Sequence, residues 1–542
     1  MRDARNNGAA RTAATGARAS SARARRSHGF RCARAGGSLR RPSPAPPMPA
    51  RVSRPALALA VTLGATTLAM ATLAAQPAHP APASPRPAGP PATTDVRAFV
   101  TVDTPLVALR HVRVVDGTGA PARADQTVVI ERGVIRAVGD ATRTPVPAGA
   151  RVLDLPGRTV LPGLVMVHEH MFYPSGGGSV YNEQAYSFPR LYLAGGVTTA
   201  RTAGNMAGYA DLELKAAIDS GRALGPALDV TAPYLEGPGL PIYQVHALSG
   251  PDDARQMVAH WADRGATSFK AYMHLTRAEL KAAADEAHRR GLKITGHLCS
   301  VTFREAAALG IDNLEHGLVV ASDFVAGKRP DECPAAAVAP SVAVLDVNAE
   351  PVRALIRELV ARRVAVTSTL TVFETFVPGR PEPPAGALDA MLPEARAQYQ
   401  ARHRQIAGLT DSPWPALFAR EMAFERAFLR AGGLLLAGTD PTGYGGVVAG
   451  YSNARELELL VEAGLTPLEA IRVATLNGAT YLGRADRIGT VAAGKRADLL
   501  VVHGDPSTRI ADVARPELVF KGGVGYDSAR LFGSVKGRVG LH

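Results

Sequence analysis

From residue 158 to residue 485, short strand-like runs alternate with helix-like stretches eight times over, and this alternation most constrains the fold of the 542-residue chain. The runs are Val160–His170, Val197–Ala203, Ala227–Ala232, Ser268–Tyr272, Leu292–His297, Asn313–His316, Val364–Leu370 and Leu434–Asp440. A strand that returns parallel to its predecessor needs a crossover long enough to hold a helix, and a sheet covered on both faces has strands that are apolar throughout. Eight such units predict an α/β protein centred on a (β/α)8 TIM-like barrel. The clearest helix spans Thr276–Arg290, with a capping box in Thr276-x-x-Glu279 and a carboxyl-terminal stop at Gly291.

On either side the pattern becomes β-branched and turn-rich. Leu109–Val115, Asp116-Gly-Thr-Gly and Thr127–Gly139 precede the alternating region, and Arg487–Val502 and Glu517–Gly523 follow it. These read as strands and hairpin turns, and two β-rich ends flanking one α/β unit are expected to pair with each other. The expected organisation is a leader over 1–93, the first part of a small β-sandwich domain over 94–157, the barrel over 158–485 and the second part of the sandwich over 486–542.

The net charge of +13 would suggest a polyanionic partner if it were spread over the fold. It is not: thirteen arginines and a single acid, Asp3, fall in residues 1–54, leaving +1 for the other 488 residues. A body so nearly neutral has no field to attract nucleic acid. The basic stretch is followed by a charge-free run, residues 55–75, and then by Pro/Ala-rich sequence to Pro91, the order of a secretory signal. Met48, just before Arg51 and Arg54, is the more ordinary start for such a signal. Export to the periplasm or the outside is expected, or anchoring through residues 55–75 if the run stays uncleaved. With Cys32, Cys299 and Cys333 as its only cysteines the chain has no disulfide framework, although a Cys299–Cys333 pair is open to an exported form.

Chemically suggestive side chains gather at the carboxyl ends of the strand runs. His168 and His170 end the first, Lys270 lies on the fourth, His297 ends the fifth, His316 the sixth and Asp440 the eighth. Strand side chains repeat every two residues, so His168 and His170 project to one side and Glu169 to the other. The carboxyl-terminal rim is where such barrels build active sites, and six residues with metal-ligand chemistry from five strands would share one mouth. Tyr243 and His246 follow the third strand, and Tyr272 and His274 the fourth, as candidate substrate contacts. Two long inserts, 321–350 and 371–412, are expected to roof the pocket.

Several segments carry a resemblance. Leu161-Pro-Gly-Leu-Val-Met-Val-His-Glu-His, Gly196-Val-Thr-Thr-Ala-Arg, Ser268-Phe-Lys, Ile294-Thr-Gly-His, Asn313-Leu-Glu-His-Gly, Leu435-Leu-Ala-Gly-Thr-Asp and Gly494-Lys-Arg-Ala-Asp-Leu-Leu-Val-Val occur in that order. The chain resembles the metal-dependent amidohydrolase superfamily, in its imidazolonepropionase-like and secreted dipeptidase-like branch, over about residues 100–530. Thr202 departs from the pattern, standing where relatives often carry Asp.

The resemblance implies two divalent metal ions, with zinc the leading choice, one held by His168, His170 and Asp440 and the other by His297 and His316. Lys270, carboxylated by CO2 to a carbamate, would bridge them. It further implies hydrolysis of an amide or peptide C–N bond in a dipeptide, N-acyl amino acid or cyclic amide by a metal-bridging hydroxide, with Asp440 as the catalytic proton carrier. The partner would be a small-molecule substrate rather than nucleic acid, with membrane contact only through an uncleaved leader; a homo-oligomer stays open. Two other readings are a Schiff-base lyase using Lys270 as the amine and an exported metal- or ligand-binding protein without activity. A simple buried pairing of Lys270 with Asp440 is the plain structural alternative to a carbamate.

Overall fold

A computed structural model describes residues 93–175, 180–240, 242 and 244–540. The leader, with the 55–75 run, Met48 and Cys32, lies outside the described residues, as does Tyr243. Among the described residues no helix is long and apolar enough to cross a membrane.

The strands are β1 Val100–Val102, β2 Leu106–Val114, β3 Arg123–Glu131, β4 Val134–Asp140, β5 Arg151–Asp154, β6 Arg158–Pro162, β7 Leu164–Glu169, β8 Phe172–Ser175, β9 Val180–Glu183 and β10 Val197–Thr202. They continue as β11 Ala227–Asp229, β12 Ser268–Ala271, β13 Lys293–Gly296, β14 Asn313–Glu315, β15 Ala365–Ser368, β16 Leu435–Ala437, β17 Leu499–His503, β18 Pro516–Lys521 and β19 Val524–Asp527. The two chain ends meet as expected, in one nine-stranded sheet of order β1-β19-β18-β17-β6-β2-β3-β4 with β5 beside β2. Its core joins Val107, Leu109, Val128 and Ile130 from the first end to Leu499, Val501 and Phe520 from the second. The β3–β4 hairpin turns through Arg132 and Gly133, both at positive φ (49° and 82°), the geometry that matches the twist of the flanking strands.

The middle of the chain is α/β. Strands β11-β10-β7 form a parallel three-stranded sheet and β12-β13-β14-β15-β16 a parallel five-stranded one. The two sheets meet at both edges: Thr231 and Leu235 bridge in parallel to Ser268 and Ala271, and the amides of Thr439 and Asp440 donate to His168 O at 3.0 and 3.2 Å. Each of the eight parallel strands falls within one of the predicted strand runs, and polar residues inside them, such as Arg201, Asn313 and Thr367, are buried with hydrogen-bond partners. The first run needs a correction. Val160–His170 is not one strand: β6 pairs antiparallel with β17 in the chain-end sheet, and β7 begins the parallel set after Gly163. The helix Arg277–Arg289 forms with Thr276 as its cap and both arms of the Thr276/Glu279 box in place. The inserts hold helices Ala335–Ala343, Ala385–Ala390 and Pro393–Ala407.

Candidate metal centre

The parallel register aligns the strand ends, so residues at or just beyond them collect on one rim. There the structure brings together all six metal-type side chains. His168, His170, Lys270, His316 and Asp440 are buried, and His297 is half-buried. His316 and Asp440 adopt positive φ, 69° and 50°. L-residues enter this region at a cost of roughly 1–3 kcal/mol, a cost met mostly where function fixes the backbone. A Cβ at Gly438 would sit 2.3 Å from the Cβ of His168, so only glycine lets β16 approach the first histidine this closely.

Asp440 is the hub. Its Oδ1 lies 3.2 Å from His170 Nε2 and 3.6 Å from His168 Nε2, and its Oδ2 lies 3.8 Å from His316 Nδ1. Lys270 Nζ stands 3.3 Å from His168 Nε2. The His297 ring is 4.5 Å from that of His316. The buried Lys270–Asp440 ion pair is not formed: among the described residues Asp440 pairs with imidazoles only.

The donors are oriented as metal ligands are. His168 Nδ1 is held by Glu315 Oε2 at 2.6 Å and His170 Nδ1 by Gly204 O at 2.9 Å, which leaves each Nε2 facing inward. A carboxylate or carbonyl on the far ring nitrogen is the usual partner of a metal-binding histidine. His316 Nδ1 contacts Thr369 Oγ1 at 2.8 Å, and its Nε2 is buried with no hydrogen-bond partner. A buried imidazole nitrogen left without a partner is costly in a dry interior and is what a metal would satisfy. Ligand atoms of His168, His316 and Asp440 all lie within 4.8 Å of one another. This nitrogen and oxygen set fits zinc or a similar divalent ion.

Burial, with Lys270 next in rank for His297, pushes His297 down to about 3; burial likewise takes His170 down to about 4 despite Asp440. Both therefore stay neutral, with lone pairs free, at ordinary pH. His316 is pushed well below its usual value by burial and its histidine neighbours. His168 is the exception, since Glu315 and Asp440 outweigh burial and Lys270 and raise it. Burial lowers Lys270 to about 8. Between pH 6.5 and 4 the unfolded chain binds more protons at His170, His297 and His316 than the folded one, so these three withdraw stability as pH falls, while His168 and buried acids such as Glu169 and Glu456, both raised to about 7, add it. NMR titration of the histidine rings in chelator should find His170, His297 and His316 still neutral at pH 5; ordinary titration near pH 6.5 would contradict the neutral histidines.

A second layer of buried polar groups holds the ligands. Arg201 donates to Val167 O (2.7 Å), Thr295 Oγ1 (2.8 Å), Ser268 Oγ (3.0 Å) and Glu315 Oε1 (3.2 Å). Burial alone would raise the Glu315 carboxyl, yet His168 and Arg201 hold it well below the usual range. Behind the strand ends, Glu421 accepts from the Val319 amide at 2.9 Å, Glu456 from Ser368 Oγ at 2.6 Å and the Thr371 amide at 3.0 Å, and Glu425 lies 2.9 Å from the same Ser368 oxygen. These glutamates brace the loops that carry His316 and Thr369. Glu169 faces away from the centre, as the strand period requires, and accepts from Thr439 and Asn453. Thr202 is buried and accepts from the Thr231 amide at 3.0 Å. Arg201 and Glu315 were not singled out from sequence as ligand supports, although both stand inside the segments that carry the resemblance.

The softer candidates divide. Tyr272 lies at the centre's edge, its ring 4.9 Å from His297 and 4.6 Å from Tyr234, with Lys270 Nζ 5.7 Å from its centroid. His274 stands 3.3 Å from Glu236 Oε1 on the same rim. His246 is half-exposed and pairs instead with Asp253 at 2.9 Å. Tyr234 and Tyr181, not singled out from sequence, join the wall: Tyr234 is 6.5 Å from the His170 ring, and Tyr181 packs 4.9 Å from Phe172, which stacks on His170 at 4.4 Å. Cys299, two residues beyond His297, is no ligand, because it forms a disulfide with Cys333, their Cα atoms 4.8 Å apart.

Comparison with known proteins finds likeness in parts of the sequence and in the fold. The amidohydrolase family model matches residues 417–525. The chain is 35% identical over 86 residues to an enamidase of Eubacterium barkeri and 56% identical over 41 residues to an imidazolonepropionase of Phocaeicola vulgatus. These matches take in 16% and 8% of this chain, and the chain spans 22% and 10% of those relatives' lengths. Among solved structures, a prolidase candidate from Bifidobacterium longum is 27% identical with a TM-score of 0.57, covering 79% of this chain and 98% of that one. A Xaa-Pro dipeptidase with bound methionine is 20% identical with a TM-score of 0.58, over 78% of this chain and all of the other, and shares the fold.

Proposed function

We propose, from the premise that this chain carries an amidohydrolase family domain, that it is a metal-dependent hydrolase cleaving an amide or peptide C–N bond in a small substrate. The partnerless, buried Nε2 of His316, on a ring whose Nδ1 stands 3.8 Å from Asp440, carries the proposal, since a metal would satisfy it. The eight parallel strands are read as a closed barrel, supported by the bridges at both sheet edges, and the chain-end sheet as a sandwich folded over its own core. The domain limits 94–157, 158–485 and 486–542 belong to the same reading. The 55–75 segment supports export, and a Cys299–Cys333 disulfide suits an oxidising compartment.

His168, His170 and Asp440 would hold one divalent ion and His297 and His316 a second. Lys270, carboxylated on Nζ, would bridge them. The lowered Lys270 supports this, because only the neutral amine can attack CO2 and a pKa of about 8 makes that form accessible. When bound, the ions lower the pKa of water and polarise the scissile carbonyl. Asp440 accepts a proton from the attacking water at Oδ as the oxygen bonds to the carbonyl carbon. It returns that proton to the nitrogen as the C–N bond breaks, serving as base and then acid. Glu315 keeps the His168 ring turned throughout, and Tyr272 lies where it can reach the substrate. A Schiff-base lyase at Lys270 draws on the same lowered pKa but leaves His316 Nε2 unexplained.

A dipeptide or N-acyl amino acid is the favoured substrate, given the 27%-identical prolidase candidate. The test is metal removal. Dialysis against chelator should abolish turnover of an N-acyl amino acid and dipeptide panel, and Zn2+ or Mn2+ with bicarbonate should restore it. Full turnover in protein shown metal-free by elemental analysis would overturn the proposal.

A further inference from the structure

Aromatic residues make up 5% of the chain, yet rings surround the centre on two chemically different sides. Tyr181, Tyr234 and Tyr272 flank His170, His297 and Lys270 with phenols. On the His316 side the rings are different. Phe373 meets the His316 ring at 5.7 Å, stacks on Trp414 at 5.9 Å, and Trp414 stacks on Phe376 at 4.7 Å, which meets Tyr444 at 5.5 Å. Tyr444 donates its hydroxyl to Thr375 O, meets Phe376 edge to face and stacks on Tyr399 at 5.8 Å. Phe373 and Phe376 follow β15 and Tyr444 follows Asp440, which places them on the rim that bears the ligands. Phe373 is buried next to His316, whereas Phe376, Trp414 and Tyr444 are each partly open. Rings left part-wet beside a polar centre are uncommon in a core, where burial would be complete, and are usual in a ligand site.

We infer that Phe373, Phe376 and Trp414 form a subsite for an aromatic or bulky apolar substituent of the substrate, with the amide lying between this row and the tyrosine wall. The inference deepens the amide-hydrolase reading and rests on it for the reaction, but not for the binding. A flat substituent would lie against the exposed parts of Trp414 and Phe376. Small substrates would leave the subsite wet.

The test has two arms. In the first, kcat/KM is compared for N-benzoylglycine against N-acetylglycine and for N-acetylphenylalanine against N-acetylalanine. The aromatic member of at least one pair should exceed its partner by about tenfold or more, from the worth of burying one ring, and Trp414→Ala should bring that ratio near one. The second arm needs no turnover. Trp261 and Trp414 are the only tryptophans, and Trp261 packs on Tyr209 in the helix Pro251–Asp263. A Trp261→Phe protein therefore reports from Trp414 alone. Its fluorescence should be saturably quenched by 3-phenylpropionate at concentrations at least tenfold below those needed for propionate. Equal quenching by the two acids, or an aromatic preference that survives Trp414→Ala, overturns the subsite. Loss of all amide turnover with selective quenching intact would instead sink the hydrolase reading and leave the subsite standing.

Discussion

Asp440→Ala is expected to lower amide turnover by about a hundredfold to ten-thousandfold, the range typical of removing a positioned proton carrier. The side chain lies within 4 Å of three imidazoles, and no other carboxylate among the described residues shares that position. The backbone at 440 already sits at φ 50°, so alanine must occupy the same strained conformation without the contacts that hold it there. Bound metal should fall as well, read by elemental analysis after gel filtration. Asp440→Asn separates the two roles, since it keeps the shape but neither carries the charge nor takes up the proton. Turnover within tenfold of the parent in both variants would remove Asp440 from the chemistry.

Arg201→Leu is expected to cost about 3–5 kcal/mol of stability, the usual penalty for stranding one member of a buried ion pair. Arg201 and Glu315 are both fully buried, and losing the guanidinium leaves Glu315 charged with His168 and the more distant Lys270 to answer it. Urea unfolding measures the loss. Adding Glu315→Gln to Arg201→Leu should recover part of it, because no uncompensated charge then remains inside. If the double variant is no more stable than Arg201→Leu alone, the cost comes from the other three Arg201 hydrogen bonds.

The strand runs were legible from local composition, and their ends from the ligand-type residues at or just past them: Lys270 one residue before the end of β12, and His297, His316 and Asp440 beyond β13, β14 and β16. The first run misled for the same reason: residues 159–162 and 164–167 are equally apolar, and nothing in their composition says that they serve different sheets. Glu315 was hidden by strand alternation, which assigns neighbouring side chains to opposite faces. The positive φ of His316 breaks that alternation and lets Glu315 and His316 both face the centre. The bracing glutamates on the helices Trp414–Arg430 and Tyr451–Glu462 depend on tertiary packing alone. His246 shows the opposite failure, since proximity in sequence to a strand end did not bring it inward; Asp253, in the next helix, holds it at the surface.

The continuity of β6 into β7 has a consequence for how the protein is made. The strand that delivers His168 and His170 is anchored through Gly163 N to Asp498 O and through β6 to Leu499–His503. A growing chain therefore releases the centre's first two histidines more than three hundred residues before their anchor leaves the ribosome. At about 5–20 residues per second that delay is on the order of tens of seconds. The first strand of the centre cannot be anchored before that point, and a nascent chain truncated before Leu499 has the histidines without the strand that holds them in place.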